Sequence, residues 1–170
     1  MLPIPLLPLL AVLAWTPAPA QTDTAVARVR REYAAVNAML PRCSRQTLDI
    51  WGESAEGGSL ETYRCGGEIR KLVAIYYGET GQAREEWYLT GERPFFLFRT
   101  DLGYDRPFGR VVRRAEERVY LRGGEMIRWI GDDGRARGTT SDEARARLAE
   151  IRESADDLLD RARTGRTEVR

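Results

Sequence analysis

The chain has 170 residues, 27 basic against 26 acidic side chains, a formal net charge of +1 and no histidine. Near neutrality speaks against a nucleic-acid binder or a polybasic membrane adaptor. The absence of histidine removes the commonest general base and the commonest metal ligand.

Residues 1–20 hold six Leu, five Pro and no charged side chain. The apolar run at 6–15, followed by Ala18 and Ala20 in an A-x-A arrangement before Gln21, predicts a cleaved signal peptide. The run is well short of the roughly 20 residues that a bilayer core needs. Residues 21–165 are expected to form one α+β domain, with 166–170 as a frayed tail. A domain of about 150 residues buries roughly 68–70% of its unfolded surface, enough for a true core.

From Asp23 to Leu40, the residues Val26, Val29, Tyr33, Val36 and Leu40 recur at three- and four-residue steps. This predicts an amphipathic helix, capped by Asp23 or Thr24 and stopped by Pro41. Cys43 and Cys65 are the only cysteines. In an exported chain they are expected to pair, tying the end of this helix to the first strand of a sheet. Residues 52–59 read as a polar loop, with Leu48, Ile50 and Trp51 before it able to form a short strand.

Residues 60–131 change texture to short apolar and aromatic runs at 60–65, 70–77, 83–90, 94–100, 111–122 and 126–130, punctuated by glycine. Such runs predict antiparallel hairpins, hence an antiparallel β-meander of about six strands. On 70–77, Val73, Ile75 and Tyr77 oppose Leu72, Ala74 and Tyr76; on 94–100, Phe96 and Phe98 oppose Phe95 and Leu97. Both faces of the sheet are therefore expected to be covered, by helices on one and by a loop, a second copy or a partner on the other.

From Thr139 the pattern is helical again, with Thr140 and Glu143 as a capping box. Leu148, Ile151, Ala155, Leu158 and Ala162 form one stripe, and Gly165 ends it. The expected class is α+β, with the meander flanked by an N-terminal and a C-terminal amphipathic helix and both helices on one face.

Motifs that could carry chemistry read as structure. Gly52-Glu53-Ser54-Ala55-Glu56-Gly57 misses the nucleophile-elbow spacing by one residue, and no histidine exists to activate Ser54. Asp132-Asp133-Gly134 opens like a calcium loop, but no bidentate glutamate follows at the required position. The adjacent pairs Glu85-Glu86 and Glu116-Glu117 lie on strands, where neighbours point to opposite faces. Asp156-Asp157 falls on the polar side of the last helix. No catalytic residue, metal or cofactor is therefore expected.

Lys71 is the only lysine, so 26 of the 27 basic residues are arginine. Arg113, Arg114, Arg118, Arg122 and Arg128 cluster on neighbouring strands, interleaved with Glu116, Glu117 and Glu125. They suit either cross-strand ion pairs or bidentate contacts with a partner's anions.

The strings EEWYLTGERPFFLF (85–98) and EERVYLRGGEMIRWIGDDG (116–134) share an order of acid, aromatic, turn and apolar strand. Over residues 72–134 the chain resembles uncharacterised exported bacterial proteins with MORN-like β-hairpin repeats, although its glycines do not recur at a constant period. The resemblance implies repeated hairpins and no catalytic residues.

The expected function is an exported, non-enzymatic binding or interaction module of the bacterial cell envelope, periplasmic or secreted. Its partner would be another protein or an envelope component, without nucleic acid or stable membrane insertion, and a homo-oligomer stays open. The candidate recognition face is Trp87, Tyr88, Tyr120, Arg128 and Trp129, residue types enriched at binding hot spots, the alternative being that the same rings are hydrophobic core. The alternatives are a small cell-envelope hydrolase using strand carboxylates and an inhibitor or immunity-type protein acting on another exported protein.

Overall fold

In the computed structural model, which describes residues 19–168, two helices enclose one antiparallel sheet. Helix α1 (Pro19–Met39) passes through a single 3-10 turn (Leu40–Arg42) into β1 (Ser44–Ile50). There follow β2 (Gly58–Cys65), β3 (Glu68–Gly78), β4 (Gly81–Thr90), β5 (Arg93–Tyr104), β6 (Val111–Arg122), β7 (Glu125–Ile130), β8 (Ala136–Arg137) and helix α2 (Asp142–Thr164). The spatial order is β1-β2-β3-β4-β5-β6-β7-β8, every neighbour antiparallel.

The six expected runs are β2 to β7, so the meander has eight strands rather than six. The extra strands are the edges. Strand β1 is mostly exposed and carries no clear alternation, and β8 is only two residues long. The expected leader spans residues 1–20, of which 1–18 lie outside the described residues. The position before Gln21 lies inside α1, so Asp23 and Thr24 are helical residues and do not cap it.

Two-residue glycine turns close the β2–β3 and β6–β7 hairpins. Gly66-Gly67 (φ 63° and 89°) and Gly123-Gly124 (φ 60° and 84°) occupy the left-handed region that a tight hairpin of this twist requires. The disulfide is present and joins Cys43, which caps the 3-10 turn at the end of α1, to Cys65 at the end of the strand formed by the run 60–65. Cys43 precedes β1 and Cys65 ends β2, so the bond staples the open end of the β1–β2 hairpin one step beyond the Ser44–Arg64 pair. By closing a 22-residue separation it stabilises the fold by about 3 kcal/mol in the chain-entropy model.

The helices lie on opposite faces of the sheet, not on one. On one face α2 buries Ala144, Ile151, Ala155, Leu158, Leu159 and Ala162 against Leu60, Leu72, Trp87, Leu97, Val119, Met126 and Trp129. On the other, Val26, Val29 and Val36 of α1 pack on Tyr88, Phe95, Phe96 and Tyr120. This satisfies the two-sided apolar pattern with the chain's own helices. The cover sought in a loop, a second copy or a partner is α1 itself.

Helix α2 is capped by Ser141, whose Oγ accepts the Ala144 amide at 3.1 Å, and not by Thr140. It ends at Gly165 in the left-handed region, as its sequence predicts. Residues 166–168 are not frayed. Thr167 O accepts the Trp51 amide at 2.7 Å, Arg166 pairs with Asp157 and Asp160, and the fully buried Arg161 donates to Thr167 O at 3.1 Å.

Candidate functional site

Register fixes which side chains share a face. Tyr63, Lys71, Tyr88, Phe96, Tyr120 and Arg128 form one cross-strand row from β2 to β7 on the α1 face. The next row on that face is Glu61, Val73, Glu86, Phe98, Arg118 and Ile130. Trp87, Leu97, Val119 and Trp129 form a row on the α2 face.

The five residues expected to form one recognition face are thus divided between two. Trp87 and Trp129 lie under α2, at 1% and 5% exposure, while Tyr88 and Tyr120 lie under α1, at 1% and 6%. Arg128 is half-buried on the α1 face, with Asp23 at 3.9 Å. The four rings are core. Adjacent residues on a strand point to opposite faces, so Trp87-Tyr88 cannot contribute both rings to one surface.

A groove of about 250 Å³ does open between α1 and the sheet, lined by Val29, Arg30, Tyr33, Phe96, Phe98, Arg118 and Tyr120. Tyr33 stands at its mouth, 38% exposed, with its ring edge-on to Phe96 at 5.4 Å. Phe96 packs on Tyr120 at 4.9 Å, and the Arg118 guanidinium lies over Phe98 at 5.1 Å. Arg118 is held by Glu116, whereas Arg30 has no ion-pair or hydrogen-bond partner among the described residues.

The groove is an aromatic slot with, among the described residues, one paired and one unpaired cation. Sequence reading had placed Tyr33 on the helix stripe and Arg118 in the arginine cluster. Only the crossing of α1 over the two rows brings them together.

Beneath the helix the polar contacts are closed. Lys71 Nζ donates to Glu86 Oε2 at 2.5 Å and to the Tyr88 hydroxyl at 2.8 Å. That hydroxyl lies 3.1 Å from both Asn37 Oδ1 and Glu86 Oε2 and has one proton to give. Burial pushes the Tyr88 hydroxyl pKa well up, so it remains a donor.

The opposite face carries the buried carboxylates Glu85 and Glu117, joined through Arg99 in the row Glu85–Arg99–Glu117. Arg99 donates to Glu85 Oε1 at 3.0 Å and the Trp87 indole to Oε2 at 3.2 Å. The Trp129 indole donates to Glu117 Oε1 at 2.8 Å, and Arg147 of α2 binds the same carboxylate through Nε at 3.0 Å and Nη2 at 2.6 Å. All four carboxylate oxygens are occupied by the protein. Each oxygen accepts at least one hydrogen bond, which is how buried charge is held at tolerable cost.

Other singled-out residues have local roles. Ser54 Oγ donates to Gly57 O at 2.6 Å within its loop, and the amide of Gly134 bonds Gly131 O in a turn. In the arginine cluster, Arg114 and Arg118 pair with Glu116 two residues away on their own strand, and Arg113 lies near Asp132.

The neighbours Glu85 and Glu86 titrate in opposite directions. Burial raises the Glu85 pKa, against the pull of Arg99 and Trp87. Burial also opposes charge on Glu86, but there the Lys71 bond and the nearby Arg84 prevail and the pKa is lowered. The signs follow from linkage. A raised carboxylate lets the folded state hold its proton longer, so stability falls as pH rises through the folded pKa of Glu85. A depressed one adds stability above the unfolded pKa that is lost as pH falls through the folded pKa of Glu86. Carboxyl ¹³C resonances should show Glu85 titrating above, and Glu86 below, the ordinary glutamate range. Matching midpoints would contradict this placement of the two side chains.

Compared with protein-family models, with curated proteins and with solved structures, the chain matches none.

Proposed function

We propose that the protein is an exported, non-enzymatic binding module of the cell envelope, and that recognition runs through the groove between α1 and the sheet. The observation that carries this reading is the aromatic slot of Tyr33, Phe96, Phe98 and Tyr120 with Arg30, unpartnered among the described residues, at its side. A preformed aromatic wall loses little entropy on binding, and an arginine without a partner has no existing pair to break. Export is supported by the Cys43–Cys65 disulfide, which persists in oxidising compartments. Among the described residues no helix is long and apolar enough to cross a membrane. An inhibitor or immunity-type protein is a special case of this reading. The hydrolase alternative draws no support from Glu85 and Glu117, whose oxygens are all engaged.

The test is affinity capture from cell-envelope extract on immobilised protein, with Arg30→Glu and Tyr33→Ala beside the natural sequence. Both side chains are solvent-accessible, so the melting curves should move by no more than a few degrees. Capture of the same component should fall at least tenfold in each variant. Undiminished capture by both would overturn the assignment to this groove.

A further inference from the structure

We propose that a second cleft, on the other flank of α1, binds an acidic segment of a partner protein; this deepens the reading of the molecule as a binding module and rests on it. The cleft, about 300 Å³, has Val29 and Phe95 in its floor and three arginines around it, Arg28 from α1, Arg93 at the start of β5 and Arg122 at the end of β6. None of the three has an ion-pair or hydrogen-bond partner for its side chain among the described residues. Residues 1–21 and 169–170 contain no acidic side chain that could supply one. Glu32 is the only acidic residue lining the cleft.

Other arginines on these strands are paired. Arg114, Arg118 and Arg128, on the same and the neighbouring strand, each have a carboxylate within 4.0 Å. The two hairpin ends beside the cleft do carry acids, Glu92 in one turn and Glu125 at the start of β7, but these are taken by Arg163 and Arg152 of α2 from the opposite face. Each hairpin end therefore sends its carboxylate to α2 and leaves its arginine at the cleft. The result is an excess of two positive charges over an apolar floor.

That combination selects the occupant by charge. Guanidinium groups bind carboxylates through paired N–H donors, and the floor accepts an apolar side chain carried between them. An acidic polypeptide segment with interspersed apolar residues supplies both. The interaction is exposed to solvent and should weaken with salt.

The probe is a fluorescent twelve-residue peptide of alternating Glu and Phe, followed by anisotropy against the disulfide-intact protein at about 50 and 200 mM salt. The matching Lys and Phe peptide serves as the control. The acidic peptide should bind and weaken at the higher salt, and the basic one should not bind. The double variant Arg93→Glu with Arg122→Glu should lose at least tenfold in affinity. Arg135→Glu, which reverses another exposed arginine in the turn after β7, should retain it. Circular dichroism melts check that the double variant is folded, and Arg93→Lys with Arg122→Lys, expected to bind more weakly but detectably, provides a second folded comparison.

Equal binding of the acidic peptide to the natural protein and the double reversal, or no binding at millimolar peptide, would overturn the inference. If envelope capture is lost in Tyr33→Ala but unchanged in the double reversal, the groove stands and the acidic-segment assignment falls.

Discussion

Truncating Trp87 to alanine is expected to destabilise the folded protein by about 3–5 kcal/mol, the range for removing a large buried ring. The ring is 1% exposed within the α2-side core, and its indole N–H satisfies Glu85 Oε2. The variant therefore loses packing and also removes a donor from a buried carboxylate, which adds to the cost. Urea denaturation of the natural and variant proteins measures it directly. A change below about 1 kcal/mol, the size usual for surface positions, would mean that the ring is not core and would return Trp87 to the candidate recognition residues.

Leu158→Ala should cost about 2–5 kcal/mol. Leu158 is 2% exposed and lies on the one stripe by which α2 meets the sheet, beside Ile151, Ala155 and Ala162. Because α2 is the element that covers that face among the described residues, the loss should appear as a lower unfolding midpoint with an unchanged denaturant slope. A negligible effect would detach α2 from the cooperative unit.

How far the fold was legible depended on how strongly each segment was patterned. Strands β2 to β7 carry β-branched and aromatic residues bounded by glycine, and both helices show apolar stripes at helical spacing, so all were readable. Strand β1 was only half visible because it is an edge, with Arg45, Gln46 and Thr47 all exposed and no face to enforce alternation. The tail at 166–168 looked frayed because its anchor, Arg161, resembles any other arginine of a charged helix until Asp157 and Thr167 close around it.

The candidate site was less legible than the fold. The candidate recognition face drew on aromatic residues, yet period-two alternation sends Trp87 and Trp129 to one face and Tyr88 and Tyr120 to the other, where each is packed under a helix. Putting both helices on one face had left the other open for recognition. With α1 on that face, the exposed chemistry moves to its flanks. Tyr33, Arg30 and Arg28 come from the helix, and Phe98, Arg93 and Arg122 come from strands distant in sequence. No local pattern encodes such a juxtaposition, because it depends on the angle at which α1 crosses the sheet.

The central claim is that binding uses the flanks of α1 and leaves both cores untouched. Its most direct measurement is the ¹⁵N–¹H spectrum of the protein titrated with the purified component captured from the envelope. The account predicts shifts concentrated at residues 28–37 of α1 and at 93–98 and 118–124 of the sheet, with α2 unperturbed. Shifts centred on the outer face of α2, around Arg147 and Glu150, with α1 silent, would contradict it.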